Sequence, residues 1–181
     1  MSERRAHIVL FRGVGGATQL PTAPLRAALT EAGFENAVTY INSGNAVVVS
    51  RLNAASVVKT IAKLCESKFG FAKAIYALTL QDWEQIIANN PFKVAEGGGK
   101  FLHAAWLEEP PSAENIARLK EIAVNGDGFE VVGKVAYIST PLGFSQSKLA
   151  ERFDKWIGVA NTARNWNSVL KLQDLARKAI G

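Results

Sequence analysis

The fold is decided by the stretch Val38-Thr-Tyr-Ile-Asn-Ser-Gly-Asn-Ala-Val-Val-Val-Ser50. Residues 38–41 and 46–50 are mostly β-branched or apolar, which predicts two short strands. The intervening Asn42-Ser-Gly-Asn45 consists of residues that tolerate turn conformations, including positive φ angles. The stretch therefore predicts a β-hairpin in the first half of the chain.

The segments on either side of this hairpin complete a βαββαβ order followed by one extra helix. Apolar periodicity and helix stop signals predict these segments. In chain order they are a strand at residues 7–11, a helix between its N-cap Thr22 and Gly33, a helix between its cap Asn53 and Gly70, a strand at residues 73–78, and a helix that begins at Thr79 and stops before Asn90-Pro91.

The second half repeats this order without obvious sequence identity to the first. The predicted elements are a strand at residues 101–107, a helix at 113–124, strands at 129–132 and 135–139, a helix at 148–157, an extended segment at 162–164 and a helix at 167–180. The fold class is therefore α+β, with two ferredoxin-like βαββαβ subdomains, antiparallel sheets and an extra helix after each. We expect the first subdomain at residues 1–90 and the second at 91–181, joined through residues 90–100.

Composition predicts a globular protein that stays in the cytoplasm. Of 181 residues, 48% are hydrophobic and 20% are charged, enough apolar surface for a packed core. The first apolar run is stopped by Arg12, too early for a signal peptide or a membrane span. The single cysteine, Cys65, lies among apolar residues at helical spacing and is expected to be buried. One cysteine and two histidines argue against a zinc site, and no cofactor is predicted.

The net charge of +5 is concentrated towards the end of the sequence. Residues 1–133 hold 13 Lys and Arg against 13 Asp and Glu, whereas residues 134–181 hold eight against three. A basic C-terminal region attracts nucleic acid or phosphorylated ligands, although a modest excess also serves solubility.

Three sequence patterns invite a catalytic or phosphate-binding interpretation, and a structural interpretation is favoured for each. The glycines at 13, 15 and 16 follow a strand but lack the Lys-Ser/Thr of a phosphate-binding loop, so they predict a turn. Ser-x-x-Lys occurs at Ser145, but also at two other places, so we expect Ser145 or Ser147 to cap the helix that begins at Lys148. His7 and His103 fall near the starts of corresponding strands, and no Ser, Cys or carboxylate is tied to either by spacing.

The segment Thr162-Ala-Arg-Asn-Trp-Asn167 leads from an extended stretch into a helix. In a structural interpretation, Asn165 or Asn167 caps the helix, Trp166 fills a core pocket and Arg164 pairs with a carboxylate or a carbonyl. In a functional interpretation, Arg164, the two amides and the free N–H groups of the helix N-terminus converge on one anion. The sequence leaves both interpretations open.

With these segments in place, the chain resembles the bacterial family known as domain of unknown function 1697. The resemblance implies two ferredoxin-like subdomains and no established activity. One departure concerns the first loop, which in the family has an Asn before its Gly pair and a Lys after it, and here has neither. The shared motifs are Arg12-Gly13 with a Gly pair, Leu25-Arg26, Tyr40-Ile-Asn-Ser-Gly-Asn45, Asn90-Pro-Phe92, Ser147-Lys-Leu149 and Thr162-Ala-Arg-Asn-Trp-Asn167.

A non-catalytic protein that binds a phosphate-bearing ligand or, weakly, nucleic acid is the first hypothesis. Its candidate residues are Arg12, Ser43, Gly44, Asn45, Ser147, Lys148, Arg164, Asn165 and Asn167. Aromatic side chains exposed on the sheet strands would favour RNA binding, and Tyr137 is the candidate for such a residue.

Two alternatives belong to other classes of function. An enzyme would use a polar cleft formed by Ser43, Asn45, Lys148 and Arg164. An assembly module would associate through an apolar sheet face or through Trp83, Trp106 or Trp156. The sequence does not decide between a monomer and a homodimer.

Overall fold

A computed structural model describes residues 3–16, 18–42, 44–94 and 98–181 of the chain. Its first four strands form an antiparallel sheet with the order β2-β3-β1-β4. The elements are β1 (Arg5–Phe11), α1 (Thr22–Glu31), β2 (Glu35–Tyr40), β3 (Asn45–Ser50), α2 (Ala54–Phe69), β4 (Ile75–Thr79) and α3 (Leu80–Ala88).

The second four strands form another antiparallel sheet, with the corresponding order β6-β7-β5-β8. A short 3-10 turn, Gly98–Phe101, precedes it, and a second, Phe144–Gln146, precedes α5. Both sheets have the strand order of a ferredoxin-like βαββαβ unit, so the predicted fold is confirmed. The remaining elements are β5 (Leu102–Leu107), α4 (Ala113–Glu121), β6 (Gly128–Val132), β7 (Val135–Ser139), α5 (Lys148–Trp156), β8 (Asn161–Asn165) and α6 (Trp166–Ile180).

Contacts between α-carbons divide the chain into two units. The first unit is Met1–Gln85 with Lys171–Gly181, and the second is Ile86–Leu170, so the divisions fall within α3 and α6. A boundary between residues 90 and 91 stays a prediction. The C-terminal residues belong by their contacts to the first unit, which changes where the positive charge of the sequence resides.

Each sheet packs one face against the two helices that connect its strands. In the first unit, Val9 and Phe11 of β1 join Val57, Ile61 and Cys65 of α2 in one core cluster, in which all five side chains are buried. The predicted burial of Cys65 is thus confirmed, and burial raises the pKa of its thiol to about 11. The second unit has an equivalent cluster, which includes Ala105, Leu107, Leu119, Ile138, Leu149 and Phe153.

Several predicted helix ends are found, and one is wrong. The Asn53 side chain accepts a hydrogen bond from the N–H of Ser56, and Gly70 ends α2 in the left-handed conformation, as expected. Thr22, however, is the first residue of α1 rather than its cap. Pro21 occupies the N-cap position, where proline has no side-chain acceptor to offer.

Helix α4 ends at Glu121, three residues earlier than predicted, and the chain then turns through Asn125 and Gly126 at positive φ. No helix within the described residues is long and apolar enough to cross a membrane.

Candidate anion-binding site

The predicted hairpin lies against the end of the first strand. The N–H of Phe11 donates to the carbonyl of Gly44 at 2.8 Å. Gly44 has φ +76°, and a Cβ there would lie 2.7 Å from Cγ2 of Val14 and 2.9 Å from Cβ of Phe11. Only glycine therefore fits this crossing. Asn45 is buried and its amide donates to the Tyr40 carbonyl at 3.2 Å, closing the hairpin. Ser43 lies outside the described residues.

Beside the hairpin is the glycine loop, residues 12–16, which follows β1. Gly15 and Thr18 exchange two backbone hydrogen bonds, of 2.7 and 3.0 Å, which fix the shape of the loop. Gly13, Gly15 and Gly16 all have positive φ. No described residue accepts a hydrogen bond from the N–H of Gly13, Val14 or Gly16. Successive N–H groups in such a turn form a concave donor surface that suits an anion.

Lys73, at the entry to β4, supplies the lysine that the loop lacks in sequence. Its Nζ donates to the carbonyl of Gly13 at 3.1 Å, and its side chain lies across the α-carbon of that glycine. The N–H of Arg12 donates to the carbonyl of Ala74 at 3.0 Å, which holds the β4 entry against the end of β1. Sequence reasoning missed Lys73 because 60 residues separate it from Gly13, and no spacing rule connects them.

A second basic side chain reaches the same end of the sheet from α1. Nη1 of the exposed Arg26 lies 3.5 Å from Oγ1 of Thr39, near the end of β2. The segments that form this end, residues 11–20, 39–45 and 70–76, contain no Asp, Glu, His or Cys. The acids that come closest to them along the chain are Glu35 and Glu66, both exposed and each four residues from the nearest segment.

The positive charge of the protein resides in the first unit. That unit holds 12 Lys and Arg against seven Asp and Glu, whereas the second holds nine against nine. Two acids of the first unit lie at the opposite end of the first sheet, where β1 begins. There, Arg4 pairs with Glu35 at 2.7 Å, and a carboxylate oxygen of Asp82 accepts a hydrogen bond from the Thr79 hydroxyl at 2.6 Å. The hairpin end is left with an excess of cations.

In the second unit, Ser147 has a structural role. Its hydroxyl donates to a carboxylate oxygen of Asp127 at 2.6 Å and accepts from the N–H of Ala150, which makes it the N-cap of α5. Of the two serines considered, Ser147 is therefore the cap. Lys148, the first helical residue, is exposed beside Arg152 and Trp156.

The side chains of Arg164 and Asn165 make hydrogen bonds to neighbouring residues of the chain. Nη1 of Arg164 donates to Oγ1 of Thr162 at 2.7 Å and to the carbonyl of Ala163 at 2.8 Å. Burial lowers the pKa of this guanidinium to about 10, so it stays charged at neutral pH. Oδ1 of Asn165 accepts from the N–H of Ser168 and caps α6. The exposed Asn167 lies close to Gly99. A Cβ added to Gly99 would be 2.1 Å from Oδ1 of Asn167.

The aromatic side chains named in the sequence do not offer an exposed sheet surface. Tyr137 is fully buried, and its hydroxyl donates to the Ile86 carbonyl at 2.6 Å, so the suggestion of an exposed stacking residue is wrong. Trp83 and Trp166 are buried as well. Trp106 is half-buried, and the half-buried Trp156 lies beneath the guanidinium of Arg118, 3.8 Å from its ring centroid.

A family model described as "Protein of unknown function (DUF1697)" matches residues 5–137, which include the hairpin, the glycine loop and Lys73. The chain belongs to this family. No curated protein matches the sequence. Among solved structures, the conserved bacterial protein SP0830 from Streptococcus pneumoniae is similar, with 21% identity, a TM-score of 0.73, and coverage of 96% of this chain and 99% of that one. At this identity the likeness shows the fold alone.

The two histidines occupy equivalent positions in the two sheets. In the strand pairing, His7 is opposite Val48 and Thr79, and His103 is opposite Ile138 and Asn165. Each histidine is thus paired with the residue that directly precedes the extra helix after its sheet. The fully buried His7 lies close to the backbone of Leu52, and neither of its ring nitrogens makes a hydrogen bond of good geometry with a described residue.

Nδ1 of His103 also has no such partner, and its ring packs against Phe144, with 4.4 Å between centroids. Burial lowers the pKa of His103 to about 4. For His7, burial is also the main cause of a lowered pKa.

No three His, Cys, Asp or Glu side chains in the described part of the chain are grouped so as to hold a metal ion. The chemistry available at the glycine loop is therefore that of cations and N–H donors.

Proposed function

We propose that this protein binds a phosphate-bearing ligand at the hairpin end of its first unit, through the glycine loop, Lys73 and Arg12. The observation that carries this proposal is the hydrogen bond from Nζ of Lys73 to the carbonyl of Gly13. It brings an exposed lysine beside three loop N–H groups that no described residue engages. Lysine as a point charge beside backbone N–H donors is the arrangement that phosphate sites use.

A phosphate group suits this site better than a carboxylate does. A phosphate offers three terminal oxygens and up to two negative charges, enough to accept from the loop N–H groups and the lysine together. An ammonium group has three donors, and Lys73 uses one on Gly13, so it keeps others for a ligand. The three segments contain no Asp, Glu, His or Cys, and the cations and N–H donors on which the proposal rests are binding groups.

The other candidate residues contribute to this proposal unequally. Gly44 and Asn45 shape the hairpin against the loop and need not contact the ligand. Ser147, Lys148, Arg164, Asn165 and Asn167 belong to the second unit, where the contacts of Ser147, Arg164 and Asn165 support structural roles. The catalytic cleft and the assembly surface gain no supporting observation, and a cytoplasmic location stays a prediction.

The proposal is tested by a ligand-dependent thermal shift on the full chain. Pyrophosphate, ATP and a short oligonucleotide serve as probes, because a ligand that binds only the folded state raises its apparent stability. We expect a saturable rise of the melting temperature with at least pyrophosphate or ATP. Lys73→Met should remove this rise, since it removes the charge and all donors of the side chain.

Lys155→Met provides the matched control, because Lys155 is an equally exposed lysine on α5 of the second unit. This variant should keep the full shift. The proposal fails if neither pyrophosphate nor ATP raises the melting temperature of the wild-type protein. It also fails if Lys73→Met, shown to be folded by circular dichroism, responds to them as the wild type does.

A further inference from the structure

A groove separate from the glycine loop runs between α1 and α2 on the helical layer of the first unit. Its volume is about 520 Å³. Its floor is apolar, with Ala28 and Ala32 on one side and Leu64 on the other, while Lys59, Lys63 and Lys68 line its rim. We call it the lysine groove. Its single acid, Glu31, forms an ion pair with Lys68, which leaves the other two lysines uncompensated.

The two uncompensated lysines are a cost to the isolated protein. Lys59 and Lys63 are exposed, lie one helical turn apart, and form no ion pair with any described residue. Like charges four residues apart on a helix destabilise it. An anionic partner that contacts both lysines removes this repulsion and gains two attractions, so the charges of the groove are complementary to a pair of carboxylates spaced in the same way.

We infer that the lysine groove docks an acidic amphipathic helix of a partner protein. Carboxylates one turn apart on that helix would face Lys59 and Lys63, and small apolar side chains would contact Ala32 and Leu64. The walls of the groove are helices, so no strand edge is available for an added strand. Its lining has neither an arginine nor an aromatic ring, the side chains on which single-stranded nucleic acid stacks.

The test measures binding of a fluorescent designed peptide to the full chain by anisotropy. The peptide is an acidic amphipathic helix of about four turns, with Glu pairs spaced four residues apart. A peptide with Lys in place of every Glu and an oligo(dT) strand are the comparison probes. We expect the acidic peptide alone to bind, and the double variant Lys59→Gln/Lys63→Gln to weaken it about tenfold. Ala32→Leu, which fills the floor without changing charge, should also weaken it.

Two controls separate this site from other cations. Lys148→Gln/Lys155→Gln removes two exposed lysines from α5 of the second unit and should leave the affinity unchanged. Lys73→Met should also leave the affinity for the acidic peptide unchanged. Loss of phosphate binding and loss of peptide binding are then distinguishable. Circular dichroism confirms that each variant is folded.

The inference is overturned if the acidic peptide does not bind, or if it binds the Lys59→Gln/Lys63→Gln variant as tightly as the wild type. Competition by oligo(dT) that disappears in the same variant would assign the groove to nucleic acid and would equally overturn it.

Discussion

At the scale of single residues, Gly44 is the glycine of the first unit that leaves the least room for a side chain. A Cβ there would meet both side-chain and backbone atoms of Phe11, at 2.9 and 3.0 Å, and the residue has φ +76°. Gly70, at φ +64°, has no neighbour within 4 Å of the same position. Gly70→Ala thus carries only the conformational cost of about 1–2 kcal/mol, whereas Gly44→Ala adds overpacking of about 1–3 kcal/mol.

Urea unfolding of the two alanine variants measures this difference. Gly44→Ala should lower the free energy of unfolding by more than Gly70→Ala does. Equal losses would mean that the hairpin does not pack tightly on β1.

Arg164 is expected to stabilise the fold. Its guanidinium donates to Thr162 and to the backbone of Ala163, and both bonds are shielded from solvent. Arg164→Gln should lower the free energy of unfolding by about 1–3 kcal/mol. Arg152→Gln, which removes an exposed arginine 3.3 Å from Glu151, should change it by less than about 0.5 kcal/mol.

Chemical denaturation of both arginine variants distinguishes the interpretations. An unchanged stability of Arg164→Gln, accompanied by loss of anion binding, would restore the functional interpretation of residues 162–167.

The fully buried His7 and the half-buried His103 predict acid sensitivity. The pKa of His103 is about 4 in the folded protein and about 6.5 when unfolded. Because the folded value is the lower one, protonation favours the unfolded state. Stability is full above pH 6.5 and falls as the pH drops towards 4. The loss from His103 is about 2 kcal/mol at pH 5, and His7, whose pKa is also lowered, adds to it.

Urea unfolding between pH 7.5 and 5 tests this prediction, because Asp and Glu titrate mainly below that interval. His103→Gln should show a shallower decline than the wild type. A wild-type stability that is constant over this interval would contradict the burial of both rings.

At the scale of elements, local signals predicted most of what the structure contains. Asn53, Gly70 and Ser147 mark helix ends by side-chain acceptors or positive φ, which depend only on neighbouring residues. The hairpin between β2 and β3 was predictable for the same reason. The N-cap position of α1, occupied by Pro21, was not predictable. Thr22 is equally acceptable as a cap or as a first helical residue, and packing decides between these two positions.

The candidate site was predictable only in part. Arg12 and Gly44 were identified from local motifs, and both lie at the hairpin end of the first sheet. Lys73 and Arg26 reach that end from a strand entry and a helix, and only the sheet order β2-β3-β1-β4 brings those segments together. The glycine loop thus receives a cation from an element that is distant in sequence.

At the scale of the whole molecule, charge is organised by unit rather than by sequence. The basic C-terminal quarter is divided between the units, and the entire excess of five positive charges belongs to the first. Since a few cations neutralise only a few phosphates, duplex DNA should bind weakly and without sequence preference. The slope of log affinity against log salt should be about −3 if Arg12, Arg26 and Lys73 each contact one phosphate.

A salt titration of DNA binding by fluorescence anisotropy checks that slope. Tight, sequence-selective binding at physiological salt would contradict the prediction. Lys73→Met should reduce the magnitude of the slope by about 1, whereas the charge-matched control Lys155→Met should leave it unchanged.

The central claim, that the glycine loop binds phosphate, is tested most directly by following backbone amide resonances during a pyrophosphate titration. A hydrogen bond to an anion moves the resonance of the donating N–H. We expect large, saturable shifts for Gly13, Val14 and Gly16, and little change at Gly133, which occupies an exposed turn of the second unit. Shifts that are absent from the loop, or that are largest in the second unit, would contradict it.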